Sequence, residues 1–219
     1  MYYKKLILVT SPPASGKTHI SKKLAENLKH VVYLDKDTLI KLSNVIFEVA
    51  GEENNRSSQF FEDHVRNPEY DVVLDLAFEA LQYEDLVLIN APFTREVRDE
   101  KWMNDLRKKL AKIGAKLCVV WVQTSLEVCR QRMIARNSER DTWKLAHWDE
   151  YVSTRDYSIP TTIKLESDPD SLLIFKNDNE KEYEESMKEI VGRLTKDLDL
   201  EKKKLDRNKC LGKSRLIIS

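Results

Sequence analysis

Apolar positions along this chain follow two rhythms. Short runs rich in Val, Ile and Leu occupy Lys5–Thr10, Val31–Asp35, Leu86–Asn90, Leu117–Gln123 and Leu172–Lys176. They read as apolar on both faces, the pattern of strands buried in a parallel sheet. Between them, apolar residues recur every three or four positions. Ile20, Leu24 and Leu28 form one stripe opposite Lys22, Lys23, Glu26 and Asn27. Trp102, Leu106 and Leu110 form a second, which stops before Gly114; Leu126, Cys129 and Met133 form a third, and Tyr183, Met187, Ile190 and Leu194 a fourth. Each stripe predicts an amphipathic helix.

Strands and helices in alternation imply βαβ crossovers, and hence a mainly parallel five-stranded sheet covered on both faces: a three-layer α/β domain. Residues 39–83 depart from the rhythm. They are mostly helical in pattern, hold no strand and contain Pro68 as a break, so they predict a helical insertion after the second strand, where such folds grip an acceptor. One domain is expected over residues 1–195. Residues 196–219, dense in Lys, Asp and Glu and ending Arg215-Leu216-Ile217-Ile218-Ser219, are expected to extend the last helix and then fray.

Composition narrows the function. At 219 residues the chain is sized for one α/β unit. Lys plus Arg and Asp plus Glu stand at 37 each, so total charge points to neither a nucleic-acid coat nor a polybasic membrane surface, although a local groove can still be basic. Cys118, Cys129 and Cys210 are odd in number and show no C-x-x-C spacing, which argues against a disulfide framework and a zinc site. The few apolar residues after the first lysines suit a first strand rather than a signal segment or a membrane span. A cytoplasmic protein is expected.

Candidate chemistry begins at Ser11-Pro12-Pro13-Ala14-Ser15-Gly16-Lys17-Thr18. This is G-x-x-x-x-G-K-[ST] with serine in place of the first glycine, set between an apolar strand and an amphipathic helix. In such a loop the backbone of residues 12–17 curls so that successive N–H groups surround phosphate at the positive end of the helix, Lys17 neutralises phosphate oxygens and Thr18 ligates Mg²⁺. Serine is tolerated at position 11 provided its φ stays negative. After the second strand, Asp35 and Asp37 stand at the sheet edge where ligands bind. A carboxylate there takes the proton of an attacking hydroxyl or holds Mg²⁺ through water; the alternative for Asp37 is to cap a helix starting at Thr38.

Arg132, Arg136 and Arg140 are spaced to project from one helical face, as phosphate-binding arginines of a lid or as a solvated face paired with Glu127 or Glu139. Asn90, at the end of the third strand, is placed to hold a metal-bound water, and Ala91-Pro92-Phe93 to turn the chain over the ligand. Asn177 and Asp178 either lie where adenine is read or cap a helix. His64 and His147 either touch an acceptor or, as a lone histidine more often does, fill the surface or core, and Trp143 and Trp148 read as packing residues or a base-stacking pair.

With this loop, Asp37 and the arginines in hand, the chain resembles the P-loop kinase superfamily. The likeness is in particular to small AAA-type kinase-like ATP-binding proteins related to polynucleotide 5′-kinases, chloramphenicol phosphotransferases and zeta-toxin kinases. It runs from about Lys4 to Leu194, and Lys36-Asp37-Thr38 stands at a "KDD"-like turn. The resemblance implies a P-loop NTPase fold with a helical lid at about residues 130–157, and ATP with Mg²⁺ as cofactors. Pro13, Ala14, Ser15, Gly16, Lys17, Thr18, Arg132 and Asn177 would hold the nucleotide, with Thr18 and Asn90 at the metal. Asp37 would activate the acceptor hydroxyl, Lys17 would act on the phosphates, and Arg136 and Arg140 would stabilise the transferring phosphoryl group. Polynucleotide kinases place an arginine three residues after the base, where this chain has Ile40. The expected activity is therefore phosphoryl transfer to a small-molecule hydroxyl; a polynucleotide or nucleotide kinase and an ATP-dependent switch are the alternatives.

Overall fold

The computed structural model describes residues 4–196, apart from the side chains of Glu139 and Arg140. The predicted strands form at β1 (Lys4–Thr10), β2 (Val31–Asp35), β3 (Leu86–Asn90), β4 (Ala115–Gln123) and β5 (Leu172–Lys176). They pair in the order β2-β3-β1-β4-β5, every pair parallel. The central strands β1 and β3 are apolar on both faces, as expected. The edge strands are not: β2 is only half-buried, and in β5 Leu173 and Phe175 are buried while Ile174 is 38% exposed. An edge strand is covered less completely than a central one, which its run of apolar residues does not reveal.

Helices close both faces. On one side α1 (Lys17–Leu28) and α8 (residues 180–196) set Ile20, Leu24, Leu28, Ile190 and Leu194 against Ile7, Val9, Leu88 and Val120. On the other, α3 (Arg66–Ala80) and α4 (Glu100–Lys112) set Val73, Ala77, Leu106 and Leu110 against Leu6, Leu8, Val87 and Ile89. This is the three-layer α/β architecture. Within α4 the most deeply buried turn is Met103 rather than Trp102, whose ring lies at the edge of the core 5.8 Å from Phe93. Gly114 ends the helix at φ +69°, which only glycine adopts without strain.

The segment after β2 is a short 3₁₀ turn (Lys36–Leu39), then α2 (Ile40–Ala50), then a helical run that includes α3. Pro68 does not break that run. It lies in the first turn of α3, directly after a π-helical stretch (Phe61–Val65) in which Arg66 N–H reaches back to the Phe61 carbonyl. The wider turn accommodates a residue with no N–H to give and a ring that crowds the carbonyl four residues earlier.

α5 (Leu126–Arg136) ends at Asn137, whose backbone is left-handed at φ 43°, and α6 (Glu139–Ala146) and α7 (Trp148–Ser153) follow as separate helices. Arg132 and Arg136 share α5, but Arg140 belongs to α6, so the three do not line one helical face. The expected tail beyond residue 196, with Cys210, lies outside the described residues, as does the Arg140 side chain.

Candidate functional site

The phosphate-loop sequence folds into a turn fixed by its own polar groups. Ser11 is buried and donates to the Pro12 carbonyl at 3.0 Å; Ser15 donates to the same carbonyl at 2.7 Å. Positive φ falls at Ala14 and Gly16 and not at Ser11, so serine costs the first position nothing. Gly16 is the residue that must stay glycine. Its φ is +89°, and a Cβ there would meet Asn177 Nδ2 at 2.7 Å. No side chain caps α1, whose first N–H groups follow directly on Gly16.

The Ser15 carbonyl is a hub. It accepts from Thr124 Oγ1 at 3.0 Å, Arg132 Nη1 at 3.1 Å and Asn177 Nδ2 at 2.8 Å, and Arg132 Nη2 donates to the Asn177 carbonyl at 2.7 Å. Arg132 and Asn177, expected at the nucleotide, thus brace the loop backbone from behind. They also line a second cavity of about 550 Å³ with Gly16, His19 and Tyr183. Asp178 accepts from Ser125 N–H, and Asn179 caps the start of α8 by accepting from Glu182 N–H.

In front of the loop, Lys17 Nζ donates to Asn90 Oδ1 at 2.5 Å, and Asn90 Nδ2 donates to Asp35 Oδ2 at 2.9 Å. Burial lowers the Lys17 ammonium to about 8, against the opposing pull of Asp37 and Asp35. Asn90 Nδ2 also lies 3.5 Å from Thr18 Oγ1. Asp35 therefore supplies, one amide away, the negative charge that Asn90 lacks. The same Asp35 is the cap of the 3₁₀ turn, accepting from Asp37 N–H at 3.0 Å. The side chain of Asp37 is left for other work: it is 63% exposed, with Lys36 Nζ at 3.4 Å.

A cavity of about 710 Å³ opens between this loop and the insertion, at the carboxyl ends of β1, β2 and β3. Its loop side is Ser11 to Ala14 and Gly16 to His19, including Pro13, Lys17 and Thr18; Ser15 faces away. Its far side is built around Glu69. That carboxylate is 4% exposed and accepts from Lys36 Nζ at 2.9 Å, from Arg56 Nη2 at 2.5 Å and from the Ser43 hydroxyl. Burial would raise the Glu69 carboxyl, but the bonds from Arg56, Ser43 and Lys36 outweigh it and hold the group below its ordinary value. The Arg56 guanidinium lies 4.5 Å from the Phe61 ring, and that of Arg66, paired with Glu96 at 2.5 Å, lies 4.5 Å from the Tyr70 ring. Tyr70 donates to the Pro92 carbonyl at 3.1 Å. Pro92 and Thr94 line the cavity, whereas Ala91 and Phe93 are buried in the core.

The helical hairpin after β4 contributes Arg136 and Arg155. Arg136 is held by two bonds to Asp141, the Nη2 one at 2.8 Å, and Lys144 adds a third at 3.0 Å. Asp141 is fully buried; burial raises its carboxyl, yet the bonds from Arg136 and Lys144 bring it down to about 2. Arg155 lies over the Tyr151 ring at 4.7 Å. The groove is therefore locally basic in a chain of zero net charge.

A family model described as an AAA domain matches residues 6–156. The chain belongs to this family. The AAA domain match spans the phosphate loop, the insertion and the hairpin, and stops short of β5 and Asn177. No curated protein matches the chain. Solved structures share the P-loop kinase fold at low identity. A candidate kinase from Chloroflexus aurantiacus superposes with a TM-score of 0.58 at 21% identity, covering 89% of this chain and 98% of that one. A gluconokinase from Sinorhizobium meliloti gives 0.53 at 15%, covering 92% and 99%. The APS kinase of Mycobacterium tuberculosis, solved with AMPPNP and APS, gives 0.50 at 20%, covering 90% and 99%.

Other sequence candidates of this AAA domain lie away from the cavity. His64 is exposed beside Phe60, His147 stacks on Trp143, and Trp148 packs near Tyr151 and Arg130. Sequence reasoning missed Lys36, Arg56, Phe61, Arg66, Tyr70, Arg95 and Arg155, all in the cavity wall. One signal was available. Phe61, Val65, Glu69, Val73 and Ala77 recur every four residues, so Glu69 is a carboxylate in the middle of an apolar stripe and needs buried cations as partners.

Proposed function

We propose that this protein is an ATP-dependent phosphotransferase that moves the γ-phosphoryl group to a hydroxyl of a small-molecule acceptor. The observation that carries the reading is that Lys17, Thr18 and Asp37 line one cavity, closed on its far side by the insertion. Backbone N–H groups of residues 14–17 and the start of α1 hold the phosphates, and Lys17 balances their charge. Asp37 is the proton acceptor. As the acceptor oxygen bonds to the γ-phosphorus and the bond to the leaving ADP oxygen breaks, the hydroxyl proton passes to the Asp37 carboxylate, which Lys36 holds in place. Arg136, set by Asp141, and Arg140 act on the transferring group, and residues 130–157 serve as the lid that excludes water.

Mg²⁺ fits the residues present. Among the described residues no three His, Cys, Asp or Glu gather as a cage, so the ion would rest on the Thr18 hydroxyl, phosphate oxygens and waters, with Asn90 and Asp35 behind them. When bound, it neutralises charge on the β and γ oxygens.

The test is ATP consumption with Mg²⁺ against hydroxylated metabolites, sugars, nucleosides and 5′-OH oligonucleotides, with Asp37→Asn beside the native protein. Stimulation by a small molecule that is lost in the variant is the expected result. Stimulation by oligonucleotides alone would favour a polynucleotide kinase, and ATP binding with no stimulation by any compound would favour a switch.

A further inference from the structure

The far wall of the cavity contains an imbalance. Two cations, Lys36 and Arg56, share one oxygen of the buried Glu69 carboxylate. The neighbouring cations are balanced: Arg66 pairs with Glu96 and, at 4.0 Å, with Glu62, which also pairs with Arg95, so two arginines face two carboxylates. Asp37 offsets part of the surplus at 3.4 Å from Lys36, but it is largely exposed and so screened by solvent.

Arg56 is also incompletely bonded. Its Nη2 is spent on Glu69, its ring-facing side on Phe61, and its Nη1 is shielded from water without an acceptor among the described residues. A buried guanidinium N–H without a partner is unfavourable until an oxygen reaches it. The residue is 28% exposed, and it lines the cavity. It is also close to the chemistry: Arg56 bonds Glu69, Glu69 bonds Lys36, and Lys36 touches Asp37. A group held at Arg56 is therefore within one small molecule's length of the proposed base.

We infer that the acceptor carries an oxyanion, a carboxylate, sulfate or phosphate, which docks on the Arg56 guanidinium and so aims the hydroxyl at Asp37. This deepens the proposed phosphotransferase reading and rests on it for the role of Asp37. A guanidinium meets such a group through charge-assisted N–H bonds from the part of the fork that Glu69 leaves free, and the Arg56 side chain keeps 28% of its surface exposed where it lines the cavity. Glu69 sets the position of that fork and Phe61 its plane.

The experiment measures binding and transfer separately. Protein loaded with AMPPNP and Mg²⁺, which occupies the phosphate loop, is titrated calorimetrically with matched pairs: hydroxy acids against the corresponding alcohols, sugar phosphates and sulfates against free sugars, and nucleoside monophosphates against nucleosides. The expected result is binding by at least one anionic member and at least tenfold weaker binding by its neutral partner. Arg56→Gln should remove that preference, and Arg56→Lys should keep part of it; an AMPPNP titration and a melting curve establish that each variant is folded. Equal binding of a neutral partner by the native protein, or no binding by any anion of the three classes, would overturn the inference without using a variant. The same compounds are then tested with ATP. An anion that binds through Arg56 and is never phosphorylated would leave the docking site standing and remove the kinase reading. Neutral compounds phosphorylated as well as anions would do the reverse.

Discussion

The two walls of the cavity are built by different means. The nucleotide wall is main chain: a stretch of consecutive residues, with one glycine at φ +89° and a carbonyl pinned by three donors from β4–α5, α5 and the turn before α8. The opposite wall is side chain: Lys36 comes from the turn after β2, Arg56 from the segment after α2, and Arg66 and Tyr70 from α3, with Glu69 and Glu96 holding the three cations. Backbone geometry serves a ligand part that does not vary, the phosphate chain. Side chains on a buried ion pair can be exchanged without refolding the loop, so on the proposed reading this wall is the one that selects the acceptor.

Substitutions can break that division. Lys17→Ala should have the largest effect, a loss of about 10²- to 10³-fold in ATP turnover with matching loss of nucleotide affinity, the range for removing a charge-stabilising donor. Steady-state kinetics and a nucleotide titration check it, and unchanged values in both would refute the loop assignment. Asp37→Asn should slow transfer by about 10²-fold while leaving the KM for ATP nearly intact. A parallel loss of stability would mean a structural part for Asp37, although Asp35 already supplies the cap.

Glu69→Gln leaves Lys36 and Arg56 without their counter-charge. Breaking a buried pair from one side costs about 3–5 kcal/mol, and the retained amide should keep this variant at the low end. Urea unfolding should show a lowered midpoint, with KM raised for the acceptor and not for ATP. If KM for ATP rises equally, the two walls are not independent.

The pH effects are smaller and differ between the walls. On the proposed reading Lys17 holds phosphate as the ammonium, and burial brings it to about 8 in the free protein, so nucleotide affinity should hold below pH 8 and fall by up to tenfold per unit above it. Calorimetry in buffers of different ionisation enthalpy should detect proton uptake on binding near pH 8. Asp141 is depressed from 3.8 to about 2, so its contribution to stability is complete above pH 3.8 and lost as pH falls toward 2. Acid unfolding of an Asp141→Asn variant should lack that component.

This contrast also explains what could be read from the chain. The strands, the phosphate loop and Asp37 are local patterns of apolar runs or adjacent residues, and the fold places them as expected. The bond between Asp35 and Asn90 is not legible in the chain because the partners are 55 positions apart, and nothing in the sequence brings them together until β2 and β3 pair. Spacing of four puts Arg140 on one face with Arg132 and Arg136, and does not reveal the left-handed Asn137 that ends α5 between them. Arg56 lies in the polar stretch Asn54-Asn55-Arg56-Ser57-Ser58, which reads as a loop and nothing more; only Glu69 in its apolar stripe hinted that the stretch had a buried counterpart.

The three-donor hub on Ser15 sets an order in time. A ribosome has delivered the whole phosphate-loop motif once residue 18 emerges, yet the last of the donors that hold the loop, Asn177, arrives about 160 residues later. Until then β5 and α8 are also missing, and Gly16 has no amide to pack against. Nascent chains released before that point should contain the complete motif and still fail to bind nucleotide, so ATP cannot act as an early chaperone for this fold. On the proposed reading, nucleotide binding is a late event that reports the docking of β5 and the turn after it.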